Sequence, residues 1–146
     1  MTVGVDTSVI IAAVHANHPV HLSSSRWLDA AFDTHDVVVA HHSLLEAYAV
    51  LTRLPAEYRV TPAEAEIVLR ETVRDNARIA PFAAESTWAF MSAFAALPAA
   101  GGAAYDAFII RLLSEAGAEA IVTYNVDDFR RLSPHVRVTD PAELEV

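Results

Sequence analysis

The chain contains no cysteine and no lysine, and all ten of its basic residues are arginine. The first absence excludes disulfides and thiolate-held zinc. The second excludes every mechanism that needs a catalytic lysine. Glycine is scarce, with 4 in 146 residues, and Gly4 stands alone before Asp6. The glycine-rich turn of a dinucleotide-binding fingerprint is therefore missing. No apolar run reaches the roughly 18 residues of a transmembrane helix. No basic segment precedes the first apolar stretch, so neither a leader nor a membrane span is expected, and the expected location is cytoplasmic.

What is present is apolar and acidic. Hydrophobic residues make up 53% of the chain, enough for a full core, and the formal net charge is −9. That charge looks wrong for a nucleic-acid binder. Net charge governs solubility and steering rather than fold, and acids gathered around a bound cation would account for part of the excess.

Apolar runs and helical periodicities alternate along the chain. Val3 and Val5 predict a strand ending near Asp6, with Thr7 or Ser8 capping a helix that breaks at Asn17-His18-Pro19. A second helix is expected over Ser23–Phe32, then a buried strand at Val37–Ala40. Ser43 and Glu46 have capping-box spacing for a third helix ending before Pro55. Thr61-Pro62-Ala63-Glu64 is a strong start for a fourth, running to about Asp75. Ile79 suits a short strand and Glu85–Leu97 an amphipathic helix. Pro98 to Ala104 reads as a loop, Ala104–Ala116 as a helix closed by Gly117. Ala120–Thr123 reads as a strand, Asn125–Arg131 as a turn or short helix, and Val136–Val138 as a last strand. Alternation of this kind predicts an α/β domain over residues 1–146, with a mostly parallel sheet of 4–5 strands between helices in three layers.

Open parallel sheets bind ligands beyond the carboxyl ends of their strands. Asp6 ends the first strand, and Glu46 lies one turn into the helix after the second. Asp106 opens the helix after the glycine loop, and Asn125, Asp127 and Asp128 follow the strand ending at Thr123. Each acid also has a purely structural reading, as a cap or as a first-turn acid favoured by the helix dipole. As a set they suit Mg2+ or Mn2+, which take oxygen ligands and keep several waters. Grouped carboxylates repel one another, and a cation relieves that cost. A two-metal site could clamp the attacking and leaving oxygens of a phosphodiester without lysine, cysteine or histidine. Ser8 and Thr123 are hydroxyls placed to hold a carboxylate. His15, His18 and His21 are spaced three apart, but Pro19 interrupts them, and His41 and His42 are neighbours at a strand end. Ordinary surface or core roles are expected for all of them.

At this point the chain resembles a PIN domain, and in particular the VapC-like toxins of VapBC toxin–antitoxin pairs. Val5-Asp6-Thr7-Ser8-Val9-Ile10 is similar to the family's first motif, and Ser43-Leu44-Leu45-Glu46 to its second. Ala104-Tyr105-Asp106-Ala107 is similar to the third, and Ile121 through Phe129 to the fourth. Each motif alone is weak; the four in order span the chain. The resemblance makes Asp6, Glu46 and Asp106 ligands of Mg2+ or Mn2+, Thr123 a supporting hydroxyl, and Asp128 the best remaining acid. Asn125 departs from the fullest pattern, in which many members have Asp.

The resemblance further implies hydrolysis of single-stranded RNA to 5′-phosphate and 3′-hydroxyl ends. It implies a homodimer and a VapB-like antitoxin, whose arginine could block the acidic pocket. Arg26, Arg53 and Arg111 are loose candidates for RNA contact. A receiver domain and a haloacid-dehalogenase-like phosphatase both want a lysine that this chain lacks. The Asn125 departure keeps one further reading open, a catalytically inactive PIN fold that binds a partner without cutting.

Overall fold

The strands of a buried parallel sheet carry apolar side chains on both faces, and three of the strands here do so. β1 (Thr2–Val5) is buried at all but its first residue, β2 (Asp36–Ala40) likewise, and β4 (Ala120–Val122) throughout. In a computed structural model, which describes residues 1–97, 99–133 and 135–146, these join β3 (Arg78–Ala80) and β5 (Arg137–Thr139). The five strands are all parallel, in the order β3-β2-β1-β4-β5.

Seven helices among the described residues cover the sheet. α1 (Thr7–Val14), α2 (His21–Thr34), α3 (His41–Thr52) and α4 (Pro62–Val73) pack on one face, against Val3, Val5, Val37, Val39 and Val122. α5 (Thr87–Ala96), α6 (Ala103–Glu115) and α7 (Val126–Leu132) pack on the other, against Val38, Ala40, Ile121 and Val138. The strand period of two sorts neighbouring valines of β2 into opposite cores. The expected α/β/α layering is thus the observed one. Gly4 serves the second core: a Cβ there would meet Leu113 Cδ1 of α6 at 2.9 Å.

Helix starts hold some surprises. Asp6, not Thr7 or Ser8, is the N-cap of α1, and its carboxylate accepts from the Ser8 N–H. The predicted capping box at Ser43 does not form. β2 runs straight into α3, so Ser43 lies inside the helix and Ala40 is the N-cap. Glu46 is thereby released from a capping duty. The box at Thr61 forms as expected, with reciprocal bonds between Thr61 and Glu64. The span expected as one helix from Glu85 divides into a 3-10 turn (Ala84–Ser86) and α5. Pro98, placed in a loop by the sequence, lies outside the described residues. Gly117 ends α6 at a positive φ of 88°, which glycine alone adopts without strain.

Candidate active site

Sequential strands add outward from β1 on one side, to β2 and β3. The chain then returns to place β4 on the other side of β1. The carboxyl ends of β1 and β4 flank this change of direction, where open α/β sheets bind ligands. Asp6 follows β1 and Thr123 follows β4, and the Asp6 N–H donates to the Val122 carbonyl at 3.0 Å.

Asp6 is 2% exposed, and its two oxygens differ. Oδ2 accepts three bonds: from Ser8 Oγ at 2.6 Å, Thr123 Oγ1 at 2.8 Å and the Ser8 N–H at 3.2 Å. The two hydroxyls are themselves fixed by backbone. The Tyr124 N–H donates to Ser8 Oγ and the Asn125 N–H to Thr123 Oγ1, both at 3.0 Å. Oδ1 takes no hydrogen bond from the described residues. One oxygen is thus anchored and its twin is left unengaged, as a metal ligand requires.

Glu46 on α3 and Asp106 on α6 both lie within electrostatic reach of Asp6. Burial raises the pKa of Glu46, Asp6 raises it further, and Arg53 offsets part of the rise. Asp106 is pushed up to about 6, by burial first, then by Asp6, Glu46 and Asp128. These side chains far apart in sequence therefore feel one another's charge. Glu46 Oε2 is buried without a hydrogen-bond partner among the described residues. His42 Nε2 stands 3.4 Å from it. Burial and the neighbouring His41 hold the His42 pKa below its ordinary value, so this contact is not a formed ion pair near neutral pH.

The donor set suits a hard dication: carboxylate oxygens, one of them buried and orphaned, with mutual repulsion to be relieved. The pocket is not a closed cage. Among the described residues, no three His, Asp or Glu side chains are gathered tightly enough to hold an ion alone. Mg2+ commonly binds through one or two carboxylates and completes its shell with water and phosphate, so an open arrangement fits it.

The fourth motif sits differently. Asp128 is exposed on α7 and pairs with Arg131 one turn on. Asp127 is exposed in the first turn of α7. Asn125 is the N-cap residue of α7, but its side chain makes no capping bond. Asp106, Asp128 and Arg131 line a common cleft with Ala103 and Leu132. Of the three arginines offered for RNA, only Arg53 shows an effect on the pocket. Arg111 is engaged by Glu115 at 2.7 Å and lies over the Phe90 ring, and Arg26 is exposed on α2. Sequence reasoning missed Arg131 and His42. Their helical spacings, three residues from Asp128 and four from Glu46, were the available signals.

The PIN domain family model matches residues 3–133 of the chain.

This protein belongs to the PIN-domain family.

Two similar proteins come from Mycobacterium tuberculosis. Ribonuclease VapC27 is 30% identical over 137 residues, covering 92% of this chain and 94% of the relative. Ribonuclease VapC40 is 29% identical over 139 residues, covering 95% and 96%. Among solved structures, VapBC2 from Rickettsia felis bound to a promoter DNA fragment superposes with a TM-score of 0.70 at 17% identity, covering 96% of this chain and 98% of that one. FitAB bound to a DNA fragment gives 0.65 at 18% identity, covering 99% and 98%. At such identities the superpositions speak to the fold, and they bear out the PIN-like parallel sheet. No helix among the described residues is long and apolar enough to cross a membrane.

Proposed function

We propose that this chain is the toxin of a toxin–antitoxin pair: a Mg2+- or Mn2+-dependent endoribonuclease that cuts single-stranded RNA and is neutralised by a cognate VapB-like antitoxin. Asp6, Glu46 and Asp106 hold the ion, and Asp128 completes the set when it leaves Arg131. Residues 1–146 act as one PIN domain, as a homodimer in the cytoplasm. The observation that carries this reading is the asymmetry of Asp6. One oxygen is locked by Ser8 and Thr123, and the other is free beside two acids whose pKa values are raised. The ribonuclease names of the M. tuberculosis relatives support the substrate, and the VapBC and FitAB assemblies support the antitoxin.

A divalent ion bound there supplies Lewis-acid stabilisation of the scissile phosphate and lowers the pKa of a water. The chain's own residues do the rest. Ser8 and Thr123 keep the Asp6 carboxylate from rotating, so its free oxygen points one way. Burial of Asp6 and partial burial of Glu46 and Asp106 strengthen electrostatics at the phosphate. Water adds at phosphorus as the ribose 3′ oxygen leaves and takes up a proton, giving 5′-phosphate and 3′-hydroxyl ends. The test is end-mapping of a labelled single-stranded RNA incubated with the protein. Cleavage with those ends in Mn2+ and none in chelator is expected. Cleavage that persists in chelator overturns the metal reading.

One observation favours a second reading, a PIN fold that binds but does not cut. Asn125 is uncharged and Asp128 is already paired with Arg131, so neither offers a free acid. Calorimetric titration with Mn2+ separates the two, because a module without a working site takes up no ion.

A further inference from the structure

We propose that Tyr105 is a stacking platform for a base of single-stranded RNA, seating the nucleotide beside the acidic pocket; this rests on the nuclease reading above. Tyr105 immediately precedes Asp106 on α6. Its ring lies flat on His42, with centroids 5.2 Å apart and 7° between planes. His42 meets Phe108 edge-on at 5.6 Å, and Phe108 is packed among Phe82, Phe90 and Phe94. The inner face of the tyrosine is therefore covered and braced. The residue is still 58% exposed, so the outer face is open. The stack also ends at the pocket, since His42 approaches Glu46 Oε2 at 3.4 Å.

Charge explains why such a platform is useful here. Nucleic-acid binding usually draws its strength from cations that neutralise phosphates. This chain has no lysine and a net charge of −9, and its pocket is acidic. Stacking on an aromatic face needs no charge and accepts every base. Trp88 is still more exposed, at 78%, but among the described residues no ring lies against it. It is a bare surface ring and serves as the control.

The experiment compares the full chain with Tyr105→Ala, Tyr105→Phe and Trp88→Ala on a labelled single-stranded RNA of mixed sequence in Mn2+. Tyr105→Ala is expected to raise KM and weaken equilibrium RNA binding roughly tenfold, the scale of one lost stack. Its preferred cut positions should blur, while kcat at saturating RNA and Mn2+ uptake stay as in the parent. Tyr105→Phe and Trp88→Ala should behave as the parent. An abasic substitution next to the preferred cut should reproduce the loss in the parent and add nothing in Tyr105→Ala. If the parent cuts and Tyr105→Ala keeps its KM, its affinity and its cut positions, the platform is wrong and the nuclease reading stands. If the parent neither cuts nor binds RNA, both fail together.

Discussion

At the end of the sheet where the strands begin, Asp36 is gripped by Arg78. The guanidinium reaches its two oxygens at 2.9 and 2.7 Å, and Thr2 Oγ1 adds a bond at 3.1 Å. The Asp36 pKa is lowered, chiefly by Arg78. At the end where the strands finish, burial raises the pKa values of Glu46 and Asp106, and Asp6 raises them further. The same carboxyl chemistry is settled at one end and frustrated at the other. Perturbed carboxyls of this kind cluster at functional sites more often than at structural ones, and the end with the raised pKa values is the one the proposed function uses. The difference also teaches caution about net charge, because acids of one sign count differently according to what stands beside them.

The comparison breaks most visibly at Asp6. Asp6→Asn keeps an oxygen to accept from Ser8 and Thr123 but removes the charge. Cleavage should fall roughly a thousandfold or more, as expected when several kcal/mol of metal stabilisation is lost. The circular dichroism spectrum should not change. Full activity in this variant would return Asp6 to the role of a helix cap.

A smaller effect sharpens the contrast at Asp106. Its folded pKa of about 6 lies above the ordinary carboxyl value of 3.8. Stability from this group is therefore complete below the lower value and is lost as pH rises through the upper one. In chelator at neutral pH, Asp106→Asn should gain about 1 kcal/mol after allowance for solvent screening. The gain should vanish in acid and be replaced by a deficit when Mn2+ is added. Urea titrations at the two pH values, with and without Mn2+, measure it. A loss of stability in chelator would make Asp106 a structural acid.

The smallest effect belongs to the settled end. Asp36 has a lowered pKa, so its contribution is present above the ordinary carboxylate range and is lost as pH falls through its folded value. Asp36→Asn should cost less than about 1 kcal/mol, as exposed ion pairs do, and should leave RNA cleavage untouched. A drop in cleavage would show that the two ends are coupled.

Periodicity made the layers legible, because a buried parallel strand and an amphipathic helix leave different spacings. It could not tell which residue caps a helix. Asp6, Thr7 and Ser8 are all good caps in isolation, and the choice fell to the residue whose backbone still belongs to the strand exit. His41 and His42 hid the start of α3, since two polar residues look like a turn. Asp6, Glu46 and Asp106 could be grouped from their places near strand ends and from family resemblance, but their spacing was not legible, because strand order is not written in local sequence. The pairing of Asp128 with Arg131 was readable in principle from helical spacing, but nothing local says that Asp128 would turn outward.

Gly4 lets α6 lie closer to the sheet than any other residue would, because Leu113 occupies the space of its missing methyl. Asp106 rides on the same helix, about 10 Å further toward its start at 1.5 Å per residue. Asp6 is two positions beyond Gly4, just past the end of β1. The helix thus acts as a lever seated on a notch, with the notch and the load belonging to opposite walls of the pocket. A single hydrogen atom in place of a side chain sets how closely the helix carrying Asp106 approaches the strand that leads to Asp6.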